Sequence, residues 1–146
     1  MKYIRDMVKQ INTESAREIR SICRRNRVDL LILFGSAGTQ TAHARSDVDL
    51  ALQPEPGATV SKLHLIAALE PLFDNRPVDL TVISKNTDPL LLYEIFSNGR
   101  LLYERTDGLF EKGRLRAWHL YLDTRSLRQY EKAYNQARIK AFHHDA

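Results

Sequence analysis

Asp47 and Asp49 stand one residue apart in Asp47-Val48-Asp49-Leu50-Ala51-Leu52, where charged residues give way to an apolar run by alternation. Alternation is a strand pattern, and side chains at i and i+2 of a strand share one face. The two carboxylates therefore point the same way. Carboxylates held close repel each other unless a cation lies between them or one is protonated. A third acid, Asp79, sits in Pro77-Val78-Asp79-Leu80-Thr81-Val82-Ile83, a run that is otherwise largely apolar. Taken alone it reads as an edge acid facing water, since burying it without a partner would be costly. Taken with the pair, it completes a set of hard oxygen ligands. Mg²⁺ suits such a set, because it keeps several waters and needs only a few carboxylates plus substrate phosphates. Two such ions, about 3.5–4 Å apart, can neutralise both the attacking and the leaving oxygens of an in-line displacement at phosphorus.

The elements that must position these acids follow from the flanking residues. The apolar run ending at Phe34 is too short for a membrane span and stops at Gly35, so it reads as a core strand over Val28–Phe34. Gly35 allows a backbone geometry that a β-carbon would hinder, and allows close approach to a phosphate. Ser36 offers a hydroxyl to a phosphate oxygen, and free amides in the following turn could do the same. A lone Gly-Ser is most often just a turn. Here it is joined to a strand before it and to Asp47 and Asp49 after it.

That combination, Gly35-Ser36 followed after ten residues by Asp47-x-Asp49 and later by Asp79, resembles the signature of the DNA polymerase β-like nucleotidyltransferase superfamily. A chain this short with these parts is most similar to the minimal nucleotidyltransferase (MNT) antitoxins of HEPN/MNT toxin–antitoxin systems. The resemblance implies an α/β (α+β) fold, with a small mixed β-sheet and helices packed on one face. It implies that Asp47, Asp49 and Asp79 are catalytic and hold Mg²⁺, two ions in all, and that Gly35 and Ser36 bind the nucleotide. It implies an antitoxin that moves AMP from ATP to a tyrosine of a cognate HEPN ribonuclease toxin. Two other readings stand beside it: transfer to a small hydroxylated molecule such as an aminoglycoside, and a non-catalytic antitoxin that covers its toxin. The chain departs from the family after Gly35-Ser36. Ala37, Gly38, Thr39 and Gln40 replace the bulky or basic residue and later glycine often found there, which alters the finer phosphate contacts and leaves the acids untouched.

The rest of the chain supplies helices. Ala16, Ile19, Ile22 and Cys23 recur at helical spacing over Thr13–Arg25; Ser15 with Glu18 fits a capping box among several cap candidates. Arg17, Arg20, Arg24, Arg25 and Arg27 form a basic flank that reads mainly as a solvated face. Val60, Leu63, Ile66, Leu69 and Phe73 predict a helix over 60–73 that Pro71 kinks or stops. Asp88-Pro89 reads as an N-cap and first helical residue, and Asn98-Gly99 as a stop. A short strand follows over 101–104. Residues 1–108 make the nucleotidyltransferase part, and 109–146 a helical extension of the same domain, bent near Leu122-Asp123-Thr124. Its Trp118, Tyr121, Tyr130 and Tyr134 suit either packing or a partner. In the loop, His43 reads as a surface residue, and Arg45 as solvated or phosphate-facing. His143-His144 reads as a frayed end rather than a metal pair.

Composition narrows the rest. The 146 residues are 43% hydrophobic and 27% charged with a net charge of +4, which describes a globular chain with a real core. The mild positive charge suits a triphosphate or an acidic partner and does not by itself call for direct nucleic-acid binding. Cys23 is the single cysteine, so no intramolecular disulfide forms. With no signal-peptide pattern and no membrane-length apolar run, a cytoplasmic location is expected. The partners implied are ATP and the toxin, with no membrane; an oligomer is compatible with the sequence.

Overall fold

The apolar run Val28–Phe34 becomes the central strand of a four-stranded sheet, because only a strand with neighbours on both edges and cover on both faces can bury such a segment. In the computed structural model, residues 11–35 and 47–144 are described. Residues 1–10, Ser36, and the loop with His43 and Arg45 lie outside the described residues. The elements run α1 (Thr13–Arg25), β1 (Val28–Phe34), β2 (Val48–Pro54), α2 (Lys62–Leu69) extended by a 3-10 turn (Glu70–Phe73), β3 (Val78–Val82), α3 (Pro89–Asn98), β4 (Arg100–Glu104), α4 (Leu109–Asp123) and α5 (Arg125–His144).

The sheet order is β3-β2-β1-β4. β1 pairs antiparallel with β2 and β4, and β2 pairs parallel with β3, so the sheet is mixed. Two apolar clusters lie on it. One gathers Ile19, Ile22 and Cys23 of α1 and Leu65, Leu69 and Phe73 of the α2 region over Leu31, Leu33, Leu50 and Leu80. The other gathers Leu92, Ile95 and Phe96 of α3 and Ala117 of α4 over Leu30, Ile32 and Ala51. Helices therefore cover both faces, not the single face expected. The reason lies in β1, whose side chains are buried on either side and need two layers. A register shift between Val28 and Leu30 places Asp29 as an extra residue opposite β2, so Val28 joins the first cluster although Leu30 joins the second. Leu50 is fully buried; its truncation to alanine should cost about 2–5 kcal/mol, a large share of a domain's stability.

Local signals explain most boundaries. Asn12, not Ser15, caps α1: its side chain accepts from Ser15 N at 2.8 Å, so Ser15 already lies inside the first turn. The five arginines of the α1 flank are exposed, and Ala16 is exposed with them. α2 starts only at Lys62, behind Ser61 as cap, which turns Leu65, Leu69 and Phe73 inward and leaves Leu63 82% exposed. Pro71 converts its end into the 3-10 turn. Asp88 accepts from the N–H groups of Leu90 and Leu91 at 2.8 and 3.2 Å, with Pro89 opening α3 as expected. α4 and α5 part at Thr124, whose hydroxyl donates to Leu120 O at 2.7 Å. Helix α5 reaches His144 rather than fraying earlier, since no glycine or proline interrupts it. Gly113 inside α4 has a packing reason: a β-carbon there would lie 2.6 Å from the Phe96 ring. No helix among the described residues is long and apolar enough to cross a membrane.

At one end of the sheet Asp29 is buried and receives the Arg105 guanidinium, Nε to Oδ1 at 2.6 Å. Arg105 also lies 3.5 Å from Glu55, which pairs with Arg27 at 3.2 Å. The hydrogen bond and charge of Asp29 raise the Arg105 pKa above its ordinary value. Arg105→Ala would leave a buried carboxylate unpaired, whereas Arg27→Ala would remove an exposed pair worth little. Thermal melts should show the first variant clearly destabilised and the second close to wild type.

Cys23 gives a pH prediction. Burial pushes its thiol from 9.0 up to about 12. The unfolded chain thus releases this proton first as pH rises, so stability fully present below pH 9.0 falls toward pH 12. Burial raises the Tyr103 phenol as well, in the same direction. Urea midpoints measured from pH 8 upward should decline, and Cys23→Ala should flatten part of that decline.

Candidate active site

Val48 and Leu50 of β2 pair with Val78 and Leu80 of β3, and all four are buried in the first cluster. Side chains alternate along a strand, so the residues between them point to the opposite face. Asp49 and Asp79 are direct register partners and therefore project side by side from that face. Val48 N donates to Pro77 O at 2.8 Å and locks this register where β2 begins. A slip by one residue would drive both acids into the core, which makes the pairing strongly specified. Asp47 is exposed and lies just before β2.

On the other side of β2, Asp49 is the register partner of Phe34, the last residue of β1. The chain then leaves β1 through Gly35 with φ +102°. A β-carbon at this position would fall on the Asp49 carboxylate. Glycine is thus required twice, by its backbone angle and by the acid packed against it. This Gly35–Asp49 contact is what a reading of the residues alone missed; the only hint in the sequence was a glycine at the end of an apolar run.

Asp79 is exposed, because β3 is an edge strand among those described. The cost of burying a lone acid, anticipated from its apolar surroundings, does not arise. Neighbouring strands lie about 4.8 Å apart, and two charges at that distance in water repel by roughly 1 kcal/mol or less. The Asp49–Asp79 pair is therefore tolerable when hydrated. Among the described residues no three His, Cys, Asp or Glu side chains form a group able to hold a metal. The structure brings Asp49 and Asp79 together, with Asp47 nearby in sequence and outside the ladder. Ser36 lies beyond the described residues. The donor set fits Mg²⁺ in chemistry: every candidate is a hard carboxylate oxygen, and an ion held this way would take further oxygens from water and phosphate. The Asp29–Arg105 pair stands near the opposite end of β1 and takes no part here.

This arrangement belongs to a known class. The family model described as "Polymerase beta, Nucleotidyltransferase" matches residues 17–108, and the chain belongs to that family. Solved structures share its fold. A chain of a toxin–antitoxin complex with AMP-PNP is 24% identical, with a TM-score of 0.56 over 86% of this chain and 96% of that one. A mutant of the toxin–antitoxin MntA-HepT is 25% identical, with a TM-score of 0.55 over 86% of this chain and 94% of that one. The tri-AMPylated Shewanella oneidensis HEPN toxin in complex with MNT antitoxin matches at 22% identity and a TM-score of 0.53, over 87% and 94% of the two chains. Among curated protein sequences none matches this chain.

The contact between Gly35 and Asp49 can be measured as a coupling. Gly35→Ala alone should destabilise by about 1–3 kcal/mol through backbone strain and collision. In an Asp49→Ala background the collision with the carboxylate is gone, while the contact with the Asp49 β-carbon at 2.6 Å and the strain remain. Urea denaturation of the two single variants and the double variant should therefore give a smaller loss than the sum, by about 0.5–3 kcal/mol. Strict additivity would mean that the two residues do not touch.

Proposed function

We propose that this chain is an antitoxin that transfers AMP from ATP to a tyrosine of a cognate HEPN toxin and silences it. The observation that carries this reading is the register pairing of Asp49 with Asp79 beside Gly35, in a chain of the nucleotidyltransferase family. The likeness to an MNT antitoxin bound to its AMPylated HEPN toxin supports the choice of acceptor. The likeness to a toxin–antitoxin complex with AMP-PNP supports ATP as donor. A reaction fed by ATP and aimed at a ribonuclease belongs in the cytoplasm, the location we assign.

Asp47 and Asp49, with Asp79, would hold Mg²⁺. When bound, Mg²⁺ neutralises charge on the phosphates during transfer. Gly35, lacking a side chain, leaves room for the Asp49 carboxylate against the backbone. Ser36 follows it in sequence, and its hydroxyl would grip the phosphate tail. Asp79 faces water on an edge strand, so an acceptor as large as a protein can reach it. Its carboxylate takes the proton from the tyrosine hydroxyl as that oxygen bonds to the α-phosphorus. The bond from the α-phosphorus to the leaving oxygen breaks, and pyrophosphate departs. Fixed by adenylate bulk and charge, the toxin tyrosine can no longer serve its site.

The extension also favours a protein acceptor over a small molecule. Helix α4 packs on the domain through Ala117, but α5 carries Tyr130, Tyr134, Ile139 and Phe142 at 54–83% exposure. Arg125, Arg128, Lys132, Arg138 and Lys140 outnumber Glu131 along it. We assign this basic, aromatic helix to toxin binding. Tyr134→Ala with Phe142→Ala should weaken toxin capture by at least about tenfold, a loss typical of aromatic anchors, with the melting temperature unchanged.

The function is tested by incubating the protein with the toxin encoded beside it, ATP and Mg²⁺, then weighing the toxin. Addition of AMP is expected. Asp49→Asn and Asp79→Asn should each slow it by about 10²-fold or more. No adduct, with transfer to some other acceptor, would overturn the reading. An Asp47→Asn, Asp49→Asn double variant that still neutralised the toxin fully would point to covering rather than modification.

A further inference from the structure

A cavity of about 290 Å³ opens far from the acids, where the ends of β2 and β3 meet α3 and α4. Gln53 of β2 and Ile83, just past the end of β3 with its N–H donating to Leu52 O at 2.8 Å, border it and lie four residues from Asp49 and Asp79. Four residues of strand span about 13 Å. The cavity is thus a separate place on the face that carries the acids. Its apolar floor is built by Leu92 and Phe96 of α3, both buried, and by Leu120 of α4. Gly113 borders it and lets α4 pack closely on the Phe96 ring, which a β-carbon would meet at 2.6 Å.

The rim is cationic. Lys85, Lys112 and Arg116 border the cavity, and none forms an ion pair among the described residues. Asp29 is the single acid in the lining, and its charge is met by Arg105 at 2.6 Å. Thr87 Oγ1 accepts from Ser84 N at 2.9 Å, which closes the turn after β3 and leaves the hydroxyl proton free to donate. Three uncompensated cations above an aromatic floor select for a negative group on an apolar body. The volume is at the small end of ligand cavities, about 300 Å³ and upward.

We propose that this cavity is a second ligand site, for a small organic anion made of one flat apolar ring bearing a phosphate or a carboxylate. The ring lies on Phe96, where offset aromatic contact is favourable. The anion is held by Lys112 and Arg116 from successive turns of α4, with Lys85 opposite. The site does not rest on the transfer reaction, and it needs no divalent ion.

The test is a titration of the full-length ¹⁵N-labelled protein in EDTA, followed by amide chemical shifts. Phenyl phosphate and benzoate are the two arms; phenol and inorganic phosphate are the halves. Saturable shifts are expected at residues 84–87 and 112–120 with phenyl phosphate, with benzoate or with both, and the stronger arm names the anion. Phenol and phosphate should each bind at least about tenfold more weakly, because each makes only part of the contacts. Lys112→Glu with Arg116→Glu should weaken binding at least about tenfold, since the cations are then reversed. Asp49→Asn should leave it unchanged while slowing transfer by about 10²-fold or more, so the two proposals fail separately. No saturable shift up to about 10 mM, below the weak end of specific binding, would overturn the site. Shifts centred on Gly35 and Asp49, or equal affinity in the charge-reversed variant, would do the same.

Discussion

Val48 and Leu50 on β2, buried against Val78 and Leu80 on β3, decide where the candidate acids of this protein stand. The four apolar side chains can face only the core, so the residues between them must face away. That is how two acids distant in sequence come to project together. The constraint is hydrophobic, yet its product is electrostatic. Burial of each such side chain contributes about 1.5–3 kcal/mol, whereas the repulsion of two hydrated carboxylates costs roughly 1 kcal/mol or less. The core wins, and the acids are held side by side.

Asp79 is exposed on β3, an edge strand among those described, and Asp49 is half-buried beside Gly35. An open pair suits a site that receives phosphates and an outside acceptor better than a closed cage would, because Mg²⁺ draws much of its shell from water and substrate. Gly35 is the tightest point. It must turn with a positive φ and also leave room for the Asp49 carboxylate, so backbone and acid are fitted as one unit.

The two ends of the sheet are built differently. Near the acids, charge is exposed and Gly35 is packed closely against Asp49. At the other end, Asp29 is buried and tied to Arg105, and Glu55 links that pair to Arg27. The extra residue in β1 that directs Asp29 to this pair also lets the strand feed both apolar clusters. Helix α4 belongs to the second of those clusters, while α5 leaves the domain with its aromatic residues exposed.

Much of this was written in local patterns. The bounds of α1 and β1, the Asp88-Pro89 start of α3, the stop at Gly99 and the bend near Thr124 follow from caps, breakers and periodicity, which act within a few residues. The acids were legible because Asp47-x-Asp49 and Asp79 sit in strand-like runs behind a glycine turn. Other features were not local and could not be read. Two helical layers, the phase of α2 that exposes Leu63, the edge position of β3 and the collision that forbids a side chain at Gly35 each depend on what packs from elsewhere in the chain. Sequence alone determined which residues could do chemistry and which segments carry them, since residue type and spacing are covalent facts. Only tertiary structure decided that Asp49 and Asp79 meet, because strand order and register are set by burial across the whole sheet.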